Sequence, residues 1–179
     1  CLVGESGCGK SVCCRTFLQI VQSPGRIVSG EMLYHRQLDG SAQEVIDLAQ
    51  LNPRGKEIRD IRGKEISIIF QEPMTAFSPV HTIGNQIMEA ILIHQRDVEK
   101  VEARERAIEL LRLVGMAIPD RRVDEYPHQL SGGMRQRAMI AMSVACQPAL
   151  LIADEPTTAL DVTLQLQILK LIRTLKDKF

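Results

Sequence analysis

An α/β fold is predicted by three stretches of the 179-residue sequence. Residues 1–21 read as an apolar strand end, a glycine-rich loop and a helix. Residues 149–155 read as a short apolar strand closed by two carboxylates, and residues 83–146 carry apolar side chains at helical spacing. Strands that alternate with helices build parallel sheets, and ligands gather at the carboxyl ends of those strands. With 45% hydrophobic residues, a chain of this length can bury a core, most simply as one domain with an embedded subdomain.

Taken in order, Cys1, Leu2 and Val3 are expected to end a buried strand. The next eight residues, Gly4, Glu5, Ser6, Gly7, Cys8, Gly9, Lys10 and Ser11, fit G-x-x-x-x-G-K-[ST]. Residues 12–21, beginning with Val12, are expected to form the helix that this motif requires. Gly4, Gly7 and Gly9 let the loop wrap a triphosphate in N–H donors, and the helix N-terminus adds partial positive charge. Lys10 supplies a full charge to the β- and γ-phosphates, and the Ser11 hydroxyl is placed to ligate Mg²⁺. The implied fold is that of a P-loop NTPase, with ATP and Mg²⁺ as cofactors.

Residues 30–40 and 44–48 have the apolar and turn residues of an antiparallel sheet edge, residues 52–62 those of a short charged helix, and residues 64–70 those of a strand. Helices are expected over 83–95 and 101–114, the second with a stripe of Ala107, Leu110, Leu111 and Val114 and a Glu102–Arg106 pair on its wetter side. Residues 130–137 read LSGGMRQR. Ser131 can cap a helix while Gly132 and Gly133 let bare backbone N–H groups approach an anion. Alone, the tripeptide is a turn and a cap; below a glycine loop of this kind it reads as a second phosphate-facing surface. Residues 135–146, apolar on most sides, are expected to form a buried helix.

The run of 149–153 should be a buried parallel strand. At its end Asp154 is expected to hold Mg²⁺ through water, and Glu155 to polarise the water that attacks the γ-phosphate. Beyond it, Leu164, Ile168, Leu171, Ile172 and Leu175 define an amphipathic helix expected to pack on the sheet.

Composition narrows the function. Twenty-two basic residues balance twenty-two acidic ones, which gives no long-range attraction to nucleic acid. No apolar run approaches the roughly 20 residues that span a bilayer. The five cysteines, Cys1, Cys8, Cys13, Cys14 and Cys146, have no zinc spacing and fit a reducing compartment. Cys13 and Cys14 read as small apolar residues on the first helix. Cys8, inside the glycine loop beside Lys10 and a helix N-terminus, is either a tolerated small residue or a reactive thiol. The four histidines are scattered and make no metal cluster.

These three motifs in this order resemble the nucleotide-binding subunit of ATP-binding cassette (ABC) transporters over essentially the whole chain. The resemblance implies a RecA-like parallel core in residues 1–82 and 147–179 and a helical subdomain in residues 83–146. It identifies LSGG as the signature, Gly4 to Ser11 as Walker A and Leu150 to Glu155 as Walker B. It also identifies Gln71 as the Q-loop glutamine that reaches metal and attacking water, and Ala159, Leu160 and Asp161 as the D-loop that crosses to a second subunit. Residues 70–79, then Thr82, Ile83 and Gly84, and residues 126–129 running into the signature are similar to the oligopeptide, dipeptide and nickel importer branch. Met134 replaces a frequent Gln and is similar to that branch too.

The resemblance implies a dimer in which ATP on Gly4 to Ser11 of one subunit is covered by Ser131, Gly132 and Gly133 of another. Binding closes the dimer and hydrolysis opens it. The expected partners are that second ATPase subunit, membrane-spanning permease subunits reached through residues 71–84, and indirectly a substrate-binding protein. The expected location is the cytoplasmic face of the membrane. Two other readings are a non-transport ABC ATPase and an ATP-binding module without turnover. The chain reads as a fragment, with the family's switch histidine and adenine-stacking aromatic expected outside it.

Overall fold

In the computed structural model, residues 1–5, 7–37, 43–158 and 160–179 are described. They form two compact units, Cys1–Arg62 and Gly63–Phe179. The segments 63–82 and 147–179 of the expected core therefore share a unit with the helices of residues 83–146.

In the first unit, helix α1 (Lys10–Phe17) follows the glycine loop, strands β1 (Leu33–Gln37) and β2 (Gln43–Asp47) pair antiparallel, and α2 (Lys56–Ile61) follows. The strand register sets Arg36 opposite Glu44, and the two side chains meet at 2.9 Å. Leu18, Ile46, Leu48, Ile58 and Ile61 are buried. Part of the predicted edge, Leu38 to Gly40, lies outside the described residues.

Two expectations in this unit are corrected. Cys1 to Val3 form no strand, and Val3 is 86% exposed. An apolar tripeptide becomes a strand only where a neighbouring ladder satisfies its N–H and C=O groups, and among the described residues none pairs with it. Helix α1 ends at Phe17 instead of continuing to residue 21. The cause is tertiary: Arg62 donates to the Leu18 and Gln19 carbonyls at 2.7 and 3.0 Å, and Gln19, at φ 51°, donates its amide to the Leu48 and Leu51 carbonyls. Cys13 is exposed and Cys14 half-buried, so neither is a core residue.

The second unit holds a parallel pair, β3 (Ile66–Ile69) with β4 (Leu150–Ala153), and helices α3 (Pro73–Ala76), α4 (Ile83–His94), α5 (Lys100–Leu113), α6 (Pro119–Arg122), α7 (Gly132–Ser143) and α8 (Val162–Lys178). Three of the four long helices start where a small polar side chain accepts from a first-turn N–H, and α5, which follows Glu99, has no such cap. Thr82 caps α4, Ser131 caps α7 and Asp161 caps α8. Together the helices build one core in which Ile83, Ile87, Ile91, Ala107, Leu111, Val114, Ile140 and Ile168 are fully buried. The α5 stripe faces that core as predicted, with Leu110 partly buried beside it, and Glu102 meets Arg106 at 2.6 Å.

Gly84 shows why this block needs a glycine. The first N–H groups of α4 donate to the chain after α6, Ile83 to the Glu125 carbonyl at 2.9 Å and Gly84 to the Val123 carbonyl at 2.8 Å. A Cβ on Gly84 would stand 2.6 Å from that Val123 oxygen. Gln86, buried on the same helix, holds the preceding loop: its Oε1 accepts from Ser78 N, and its Nε2 donates to the Ser78 and His81 carbonyls.

Three further expectations are adjusted. Strand β4 is parallel as predicted but not buried, with Leu150 41% exposed, while every residue of β3 is buried. Helix α8 turns Ile168 and Leu175 into the core and lies more against α7 than against the sheet. Arg137 of α7 reaches Gln167 at 2.8 Å, and Gly133 approaches Leu164. Cys146 sits in the turn after α7, half-buried, its thiol donating to the Ala90 carbonyl at 3.3 Å. Burial pushes this thiol's pKa up, opposed more weakly by Lys64.

Candidate functional site

The site falls into two parts, one in each unit. In the first unit, Gly4, Glu5, Gly7, Cys8 and Gly9 are exposed, Lys10 and Ser11 are half-buried at the head of α1, and Val12 is exposed. Ser6, predicted to belong to the loop, lies outside the described residues. Gly7 at φ 83° and Gly9 at φ 97° adopt the left-handed backbone that glycine accepts without strain, and open space surrounds the position of a Cβ on either. Gly9 precedes α1, and no side chain caps this helix N-terminus. The Lys10 ammonium donates to the carbonyls of Gly4 and Glu5, both at 2.9 Å, and so spans the loop it charges. An exposed loop of N–H donors around one ammonium suits a phosphate chain, so the residues present fit ATP. Cys8 is exposed, its sulfur packed against Gly4 so closely that a Cβ there would meet Sγ at 2.5 Å.

In the second unit the parallel register brings two predicted residues together. Ile69 pairs with Ala153, so the chain leaves both strands at the same edge of the sheet. Two residues beyond each lie Gln71 and Glu155, and the Gln71 amide donates to the Glu155 carboxylate at 3.1 Å across 84 positions of sequence. Thr158 Oγ1 donates to the same carboxylate oxygen at 3.0 Å. Asp154, one residue earlier, extends the ladder by donating its N–H to the Ile69 carbonyl at 2.9 Å, and its side chain is 2% exposed. Glu155 then turns out of the strand at φ 46°, a conformation that costs free energy in a non-glycine residue. Two adjacent carboxylates, one buried and one half-buried beside an amide, make an acidic oxygen donor set of the type that hard divalent cations prefer.

The predicted signature residues lie at the start of α7. Ser131 and Gly132 are exposed, Gly133 is half-buried, and the Ser131 hydroxyl accepts from Met134 N at 3.4 Å. Among the described residues the Gly132 and Gly133 N–H groups have no partner, as an anion-facing surface requires. Asp161 is employed as the α8 cap, one oxygen accepting from the Thr163 and Leu164 N–H groups at 3.0 Å. Ala159 of the predicted D-loop lies outside the described residues.

One residue of this part was not singled out from the sequence. Gln136 of α7, 2% exposed, donates its amide to the Pro156 carbonyl at 2.7 Å and ties the signature helix to the turn that carries Glu155. Its only sequence signal is a polar side chain on a helix otherwise apolar on most sides.

A family model described as ABC transporter matches residues 1–158. The chain belongs to the ABC transporter family. It is 52% identical to a probable peptide ABC transporter ATP-binding protein of Sinorhizobium fredii and 49% identical to the dipeptide transport ATP-binding protein DppD of Escherichia coli, over 99% of its own length in both cases. It spans about half the length of these curated relatives, 50% of each. Among solved structures it is similar to the ATP-binding cassette MJ0796, in a dimeric post-hydrolysis state bound to ADP and Pi. That match has a TM-score of 0.76 and 28% sequence identity, covering 98% of this chain and 68% of the other. Among the described residues of this ABC family chain, no helix is long and apolar enough to cross a membrane.

Proposed function

We propose that this protein is the ATP-binding and ATP-hydrolysing subunit of an importer that takes up peptides, or a related small solute such as nickel, across the cytoplasmic membrane. The observation that carries the hydrolytic part is the Gln71–Glu155 hydrogen bond, which holds a half-buried carboxylate at the edge where both parallel strands end. The peptide class is supported by the curated relatives, named for peptide and dipeptide transport at about 50% identity.

In this reading Gly4 to Ser11 bind the phosphates, and Ser11, Gln71 and Asp154 hold the metal, Asp154 through water. Mg²⁺ when bound neutralises developing charge on the phosphoryl oxygens. Glu155 accepts a proton from the attacking water while Gln71 fixes the direction of its carboxylate. Stabilisation of charge by loop N–H groups and Lys10 supplies most of the rate, because a loose phosphoryl transition state leaves little covalent work. Ser131, Gly132 and Gly133 present α7 to the nucleotide of a second subunit, so ATP binding closes a dimer, with Asp161 near the crossing. The closed dimer moves permease subunits through residues 71–84, the segment pinned by Gln86. A peripheral position on the cytoplasmic face follows from that arrangement.

Two variants separate the roles. Lys10→Ala should lose ATP binding in a fluorescent-nucleotide titration. Glu155→Gln should retain binding and hydrolyse ATP slower by roughly 10² to 10⁴ fold. Loss of ATP binding in Glu155→Gln, or normal binding by Lys10→Ala, would overturn the assignment.

A further inference from the structure

We infer that Gln136 is a positioning residue for the hydrolytic carboxylate, linking the signature helix of a subunit to that subunit's own Glu155. The inference rests on the role proposed for Glu155. Glu155 stands at φ 46° immediately after strand β4. A non-glycine residue persists there only where its surroundings over-determine the backbone. The surroundings are visible: the Asp154 N–H is fixed to β3 before it, its own carboxylate is held by Gln71 and Thr158, and the next carbonyl, that of Pro156, is held by Gln136 at 2.7 Å. Of these restraints, Gln136 alone comes from α7.

Burial makes the link stiff. Gln136 is 2% exposed, so no water competes for its amide, and the ring of Pro156 fixes φ at the residue whose carbonyl it holds. Gln136 lies one helical turn from Ser131 and Gly132, the exposed start of α7. A hydrogen bond of 2.7 Å is spent by a displacement of roughly 0.8 Å. A shift of α7 on engaging nucleotide is therefore transmitted to the turn at Glu155. The consequence is that the surface a subunit offers to the partner's ATP and the carboxylate acting on its own ATP are mechanically joined.

The test replaces the donor while keeping the volume. Gln136→Met keeps length without hydrogen bonding. Gln136→Glu keeps the shape and places an acceptor against the Pro156 carbonyl, serving as the second variant should the first not fold. In the protein as an Mg²⁺-dependent ATPase, each folded variant should lower kcat roughly tenfold to a hundredfold and leave KM for ATP within about twofold, because alignment is lost and phosphate binding is not. Added to Glu155→Gln, either change should cost no more than about twofold further, since its target is already gone. A merely structural role predicts full additivity instead. Turnover within about twofold of the parent, or an undiminished further loss in the Glu155→Gln background, overturns the inference and leaves the role of Glu155 standing. Unchanged turnover in Glu155→Gln alone overturns both.

Discussion

Gly84→Ala should destabilise the second unit far more than a methyl group on a helix suggests. In the structure the new Cβ would stand 2.6 Å from the Val123 carbonyl oxygen, about 0.8 Å inside ordinary contact. The oxygen cannot retreat freely, because it accepts the Gly84 N–H at 2.8 Å; a retreat of about 0.8 Å stretches that bond beyond 3.5 Å and ends it. Overpacking costs about 1 to 3 kcal/mol. An unsatisfied buried N–H adds about 1 to 3 kcal/mol, and the better helix propensity of Ala returns about 1 kcal/mol. The net expectation is a loss of about 1 to 5 kcal/mol. The chain has no tryptophan, so urea unfolding is best followed by circular dichroism at the helix band. A change below about 0.5 kcal/mol would refute the reasoning, since it would mean that α4 and the segment after α6 do not approach as closely as the hydrogen bonds require.

Two further expectations concern the nucleotide. Ser131→Arg places a long side chain on the exposed start of α7, and is expected to leave ATP binding by the monomer near normal while abolishing turnover. Monomer affinity falling as far as in Lys10→Ala would put Ser131 in the same-subunit pocket instead. Cys8, exposed and packed against Gly4, should be alkylated quickly without nucleotide and strongly protected by Mg²⁺ and ATP, as read by peptide mass spectrometry. Equal labelling with and without saturating ATP would remove Cys8 from the nucleotide site.

What the sequence revealed and what it hid divide along local and non-local lines. The glycine loop was legible because its spacing is a statement about consecutive residues, and Ser131 marked a helix start because a cap acts over three positions. Gln71 was reached only through the resemblance, and its bond to Glu155 was not foreseen, since a bond between residues 84 apart follows from a strand register and no window of sequence contains it. Helix α1 stopped early because Arg62, far along the chain, takes up the Leu18 and Gln19 carbonyls just past its end. Cys1 to Val3 are apolar enough for a strand, and among the described residues no ladder joins them. Gln136 was passed over because one polar side chain on an apolar helix looks like tolerance until its acceptor, Pro156, is seen beside it.

The central claim, that Glu155 drives hydrolysis in a dimer closed by ATP, is tested most directly by the association state of Glu155→Gln. With binding intact and the water no longer activated, the closed state should accumulate. Size-exclusion chromatography with light scattering should therefore find a monomer without nucleotide and a stable dimer in ATP, abolished by adding Ser131→Arg. A Glu155→Gln protein that binds ATP and stays monomeric at saturation would contradict the account.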